Sequence, residues 1–267
     1  MKKARFETQN YHRVTEMVNT LARPYNAPGS RNRYDAGFVI GGAGMGKSAI
    51  AAQIEQAAVD LGYETIIIPC SNTHRASSFL QDTLNALKGV RNPVEDGART
   101  TSSSRLIRMI AQHVTGGDFY TPGMAKRVIW FDEIQRIWYG DRNIFKLIAE
   151  IIDIKACPVV LSGWPEVLTG LLRDYQQCDY RWRIRASCAI QPLGDEDFQR
   201  LFDQLGELIY PPLVRGAIWK AVGEKKNSIS DILWLVENLD RMKYSRIKEV
   251  TVEHVQQVWQ SRKERMS

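Results

Sequence analysis

Between residues 37 and 192 the chain alternates short, wholly apolar runs with longer segments whose apolar positions recur every three or four residues. GFVI (37–40), ETIIIPC (64–70), RVIWF (127–131), PVVLSG (158–163) and ASCAI (186–190) have the length and composition of buried strands. The segments between them, AIAAQIEQAAVDL (49–61), SSFLQDTLNAL (77–87), SRLIRMIAQHV (104–114), NIFKLIAEIIDI (143–154) and 165–175, have helical periodicity. Strands alternating with helices predict right-handed βαβ units and a parallel five-stranded sheet covered on both faces. After Pro192 the strand pattern ends. Four helical segments are predicted to begin near Asp195, Pro211, Ser228 and Thr251, burying Phe198, Phe202, Trp219, Leu233, Trp234 and Trp259. Before Tyr34 the pattern supports one weak helix over 13–21 and then an extended, turn-rich piece. The expected organisation is a short N-terminal segment (1–34), an α/β domain (35–192) and a small helical domain (193–267).

Composition changes this picture little. The 267 residues are 44% hydrophobic and 25% charged, ordinary for a globular chain, and the net charge of +6 is compatible with a nucleic-acid partner without requiring one. The four cysteines form no CxxC pair and no histidines cluster near them, which argues against structural zinc or a disulfide framework. No apolar run reaches the length of a signal peptide's core or of a membrane span. The expectation is a cytoplasmic protein that does not enter a membrane.

The chemistry begins directly after the first predicted strand. Gly41-Gly42-Ala43-Gly44-Met45-Gly46-Lys47-Ser48 fits GxxxxGK[ST] at every fixed position, and Ala49 continues into a helix. Glycines allow backbone N–H groups to turn inward around phosphate oxygens, and the following helix points its positive end at the same anion. Lys47 is expected to reach the terminal phosphates of ATP, and Ser48 to ligate Mg2+. Val128 to Glu133, VIWFDE, ends a strand in two acids: Asp132 is expected to hold Mg2+ through its water shell, and Glu133 to polarise the attacking water. Ser162 ends another strand, where a hydroxyl could touch the γ-phosphate or that water.

Two further features are less self-explanatory. CDYRWRIRASC (178–188) places Arg181, Arg183 and Arg185 at alternate positions, which in a strand share one face. No acidic cluster nearby in the sequence supplies their anion. The polar stretch 89–104 carries five consecutive Thr or Ser residues and reads as a loop. With Arg91, Arg99, Thr101 and Arg105 it has the cations and small donors that contact a DNA backbone. A solvated loop explains the same composition.

Taken together, GGAGMGKSAIA, VIWFDEIQRI, CPVVLSGWPEVLTGLL, YRWRIR followed by PLGDEDF, and NSISDIL resemble an AAA+ ATPase, and within that class the TniB/TnsC transposition regulators, with MuB proteins more distant. The resemblance spans 35–267. It implies the P-loop AAA+ α/β fold with a C-terminal helical lid, ATP and Mg2+ as cofactors, and assembly of ATP-bound subunits as a ring or helical filament around duplex DNA. Recruitment or stimulation of a transposase, and possible contact with a target-selecting adaptor, are also implied. Arg181-Trp182 holds the place of the family's Arg-Phe pair. This makes Arg181 the expected finger acting on a neighbour's nucleotide, with Arg183 the second choice or an interface partner. DNA contact would be largely independent of sequence. The lid stretch has Ser230 and Asp231 where AAA+ proteins often carry an arginine, which departs from the full nucleotide-sensing set. Two other readings remain open: a helicase-loader or replication-initiator-like ATPase, and a nucleotide-dependent scaffold with little hydrolysis.

Overall fold

The computed structural model describes residues 8–25, 33–89, 102–115, 125–173, 180–205, 210–223, 229–244 and 249–266. In chain order the elements are α1 (Gln9–Leu21), β1 (Ala36–Ile40), α2 (Lys47–Gln56), α3 (Ala58–Leu61), β2 (Glu64–Pro69), α4 (Ala76–Leu87), α5 (Ser103–Thr115), β3 (Arg127–Asp132), α6 (Gln135–Trp138), α7 (Ile144–Asp153), β4 (Val159–Gly163) and α8 (Pro165–Arg173). A 3-10 turn at Tyr180–Trp182 precedes β5 (Ile184–Ala189), followed by α9 (Asp195–Leu205), α10 (Pro212–Gly223), α11 (Ile229–Tyr244) and α12 (Val252–Met266).

The five strands form one sheet in the order β2-β3-β4-β1-β5, with every pairing parallel. This is the α/β sheet expected from the alternating pattern. The apolar strand runs are apolar because both faces are covered: Phe38, Val39, Val128, Ile129, Trp130, Phe131, Val160 and Leu161 have no measurable exposure. Phe79, Leu84, Ile110, Ile148 and Tyr180 share one core with Phe38, Ile129, Phe131 and Leu161.

The chain divides into two compact units. One comprises Arg13–Gly42 and Lys47–Ala189; the other comprises Met1–His12, Ala43–Gly46 and Ile190–Ser267. In the second unit the four expected helices are present. Phe198, Phe202, Ile218, Ile232, Leu235, Val255 and Trp259 form its core, with Trp219, Leu233 and Trp234 half-buried against it.

Four details depart from the sequence reading. Helix α1 starts at Gln9 rather than near Arg13, because Asp197 accepts a 2.9 Å hydrogen bond from the Gln9 N–H and supplies a cap from 188 residues away. The helix expected over 49–61 is interrupted at Ala57, which separates α2 from α3. A one-turn helix, α6, follows the acidic strand end. Finally, the arginine row does not lie on one strand: Arg181 is in the 3-10 turn, Arg183 lies between turn and strand, and Arg185 alone is in β5. Among the described residues no helix is long and apolar enough to cross a membrane.

Candidate active site

Parallel strands direct their carboxyl ends to one edge of the sheet, and the loops there are where α/β folds build sites. The turn from β1 into α2 is the glycine-rich motif. Gly44 and Gly46 have φ of 74° and 90°, left-handed values that allow consecutive N–H groups to point inward and that side chains resist. Lys47 opens α2 and is buried; its ammonium donates to the carbonyls of Gly41 at 2.7 Å and Gly42 at 2.8 Å. Burial lowers its pKa from the usual lysine value, partly offset by the negative charges of Asp132 and Glu133. Ser48 is exposed at the head of the helix. Gly41 N–H donates to Gly163 O across 3.1 Å, tying the motif's entry to the end of β4.

Asp132 ends β3 with only 6% exposure. Its Oδ1 accepts a hydrogen bond from Ser162 Oγ, which in turn accepts one from the Trp130 indole at 3.0 Å. Ser162 is fully buried, and its hydroxyl fixes the carboxylate beside it. Its observed partners are protein groups.

Glu133 has φ of 56°, a left-handed conformation uncommon for a residue with a Cβ and concentrated at functional sites. Its carboxylate pairs with Arg136 at 2.6 Å. The EIQR spacing carries this i,i+3 pair in the sequence, and the sequence reading passed over it. Gln135, between them in sequence, is buried, and its Oε1 has no hydrogen-bond partner among the described residues. It stands 3.3 Å from where a Cβ on Gly163 would sit.

The arginines separate by partner. Arg183 grips Asp153 side-on, with Nε to Oδ1 at 2.8 Å and Nη2 to Oδ2 at 2.6 Å. Asp153 is therefore the anion that local sequence does not reveal. Arg185 lies 3.7 Å from Asp35, which Lys155 also contacts at 3.1 Å. Arg181 and Trp182 are both exposed. Arg105 is exposed in the first turn of α5, with exposed Arg108 three residues on, opposite a buried face of Leu106, Ile107 and Ile110. Arg91, Arg99 and Thr101 lie outside the described residues. In the helical unit, Asp231 at the start of α11 is buried and paired with Arg262 of α12, whose guanidinium lies 4.3 Å from the Trp234 ring centroid. The position that lacks an arginine in sequence thus holds an acid that binds one from the last helix.

Solved structures resemble this fold at low sequence identity. The Aeropyrum pernix ORC1 protein in complex with DNA aligns with a TM-score of 0.67 at 15% identity, covering 96% of this chain and 65% of that one. The ORC2 protein of the same organism, as ADPNP-ADP complexes, gives 0.67 at 12% over 98% and 68%. Domain III of the Thermotoga maritima replication initiation protein DnaA gives 0.52 at 15% over 92% and 87%. The chain thus spans about two thirds of the two ORC proteins' length. No curated protein matches the sequence. The profile of the AAA domain matches residues 31–171, more than half of the chain, and takes in the glycine-rich turn, the acidic strand end and β4. The chain belongs to the AAA domain family.

Proposed function

We propose that this chain is an ATP-dependent, DNA-binding regulator of transposition. It hydrolyses ATP at a site completed by a second copy, assembles in the ATP-bound form on duplex DNA, recruits or activates a transposase, and disassembles on hydrolysis. The observation carrying the ATPase and assembly part is the placement of Arg181. β5 runs parallel to β1, and its first residue Ile184 registers with Ala36, the first residue of β1. Arg181 therefore stands at the amino end of the strands, whereas the glycine-rich turn leaves their carboxyl end. At about 3.3 Å per residue, five residues of strand separate the two by roughly 16 Å, more than an arginine side chain spans. An exposed arginine at that edge serves a phosphate held by another copy.

Lys47 binds the β- and γ-phosphates, and the backbone of Gly41 to Gly46, with Ala49 behind it, shapes the cradle. Ser48 and Asp132 offer hard oxygen donors of the kind Mg2+ takes, and the Ser162 hydrogen bond holds the Asp132 carboxylate ready. Bound Mg2+ would neutralise developing phosphate charge. Glu133 accepts the proton of the attacking water, after its carboxylate leaves Arg136. Arg91, Arg99, Thr101 and Arg105 contact the DNA backbone without reading bases, residues 193–267 act as the lid, and the protein works in the cytoplasm. The transposition reading rests on the TniB/TnsC-like stretches.

A shared-site test reads turnover in mixtures. Arg181→Ala and Glu133→Gln should each bind ATP yet fail to hydrolyse it. Mixed in equal amounts they should recover part of the wild-type rate, since one copy supplies the arginine and the other the base. No recovery would refute a trans arginine. Binding to random duplex DNA should require a non-hydrolysable ATP analogue and strengthen with DNA length. A second reading, an initiator-like ATPase, is favoured by the likeness to ORC proteins and DnaA. It predicts preference for particular DNA sequences and no stimulation of a transposase encoded nearby.

A further inference from the structure

Among the described residues most large aromatic side chains are buried or half-buried, but Trp182 is 72% and Tyr139 67% exposed. They sit at opposite edges of the same sheet. Trp182 precedes Ile184, which registers with the first residue of β1. Tyr139 follows α6 beyond the carboxyl end of β3, and its ring meets Trp164, the residue after β4, at 6.3 Å and 63°.

Both are held on fixed supports. In the 3-10 turn, the buried Tyr180 hydroxyl donates to Phe145 O at 2.6 Å, and Arg183 just beyond is clamped by Asp153. At the other edge a Cβ on Gly140 would stand 3.0 Å from Asn72 O, so the loop is pressed against the residues that follow β2. Aromatic side chains carried on a fixed backbone lose less freedom on docking than those on a free loop, and aromatic residues are enriched at the centres of interfaces.

The charges beside them are complementary. Exposed Arg181 adjoins Trp182, and exposed Glu166 lies two residues past Trp164. The cations near Tyr139 are engaged within the chain: Arg136 with Glu133, and Arg142 over the Trp138 ring at 4.3 Å. A symmetric pairing of Trp182 with its own copy would bring Arg181 against Arg181. A head-to-tail pairing brings Arg181 toward the edge that carries Glu133 and the glycine-rich turn. We infer that the Trp182 indole of one copy seats on the Tyr139–Trp164 pair of the next, a heterologous contact that repeats into a ring or filament. This rests on the trans reading of Arg181 and names the side chains that join the copies.

The test is sedimentation velocity of the full chain with a non-hydrolysable ATP analogue, with and without duplex DNA. Trp182→Ala and Tyr139→Ala should each keep wild-type nucleotide affinity and melting temperature, and each alone should assemble at least ten-fold more weakly than wild type. Mixed in equal amounts they should form heterodimers and nothing larger, because only one intact junction is available. Either variant assembling like wild type, or a mixture that stays monomeric or grows into long assemblies, overturns the inference. If the Arg181→Ala and Glu133→Gln mixture recovers turnover while Trp182→Ala assembles normally, this contact alone is wrong. If wild type stays monomeric throughout, the contact and the trans reading both fail.

Discussion

Ser162 has no exposed surface, yet its hydroxyl links the Trp130 indole to the Asp132 carboxylate. Ser162→Ala would leave a buried N–H without an acceptor and free the carboxylate to turn. The expected outcome is a loss of about 1–3 kcal/mol in stability, read by denaturant unfolding, and weaker Mg2+-dependent nucleotide binding. Lys47 gives a pH test. Its pKa is lowered in the folded chain, so below that value the buried cation costs stability, and the cost is relieved as pH rises through it. Nucleotide affinity should move the opposite way, falling with rising pH and beginning below the usual lysine range, as titration with a fluorescent ATP analogue would detect. At this scale much was legible in sequence, because glycine, lysine and acid spacings are fixed by the ligand's own dimensions. The partners of Ser162 and Arg183 were not, since Trp130 and Asp153 lie 32 and 30 residues away.

The strand-to-turn element that ends in Asp132 and Glu133 depends on a glycine of the neighbouring strand. A Cβ on Gly163 would stand 2.8 Å from Ile134 Cγ1 and 3.3 Å from Gln135 Oε1. Gly163→Ala should therefore displace the turn that carries Glu133, lowering turnover well beyond what its roughly 1–3 kcal/mol of overpacking strain explains. Parallel ATPase and melting measurements would separate the two effects. Element types followed from periodicity, and the five strands and the four late helices formed where the pattern put them. Two of the departures share a cause. Alternating arginines suggested a strand, but the Tyr180 hydroxyl bond to Phe145 and the Arg183 clamp to Asp153 impose a turn instead. The early start of α1 likewise depends on a cap from Asp197. Interactions that distant leave no mark on local pattern.

For the molecule as a whole, ligand binding and stability are linked. A nucleotide at a hundred times its Kd should stabilise the wild type by about 2.7 kcal/mol, raising its melting temperature, while Lys47→Ala should show almost no shift. The same linkage gives the left-handed backbone at Glu133 a wider meaning. Asparagine tolerates that conformation better than glutamate, so Glu133→Asn should relieve part of a strain of order 1 kcal/mol while removing the base. The expected product melts higher than wild type and turns over nothing. Selection for stability alone would then favour inactive proteins at this position, and a screen scoring only thermal resistance would discard the ATPase.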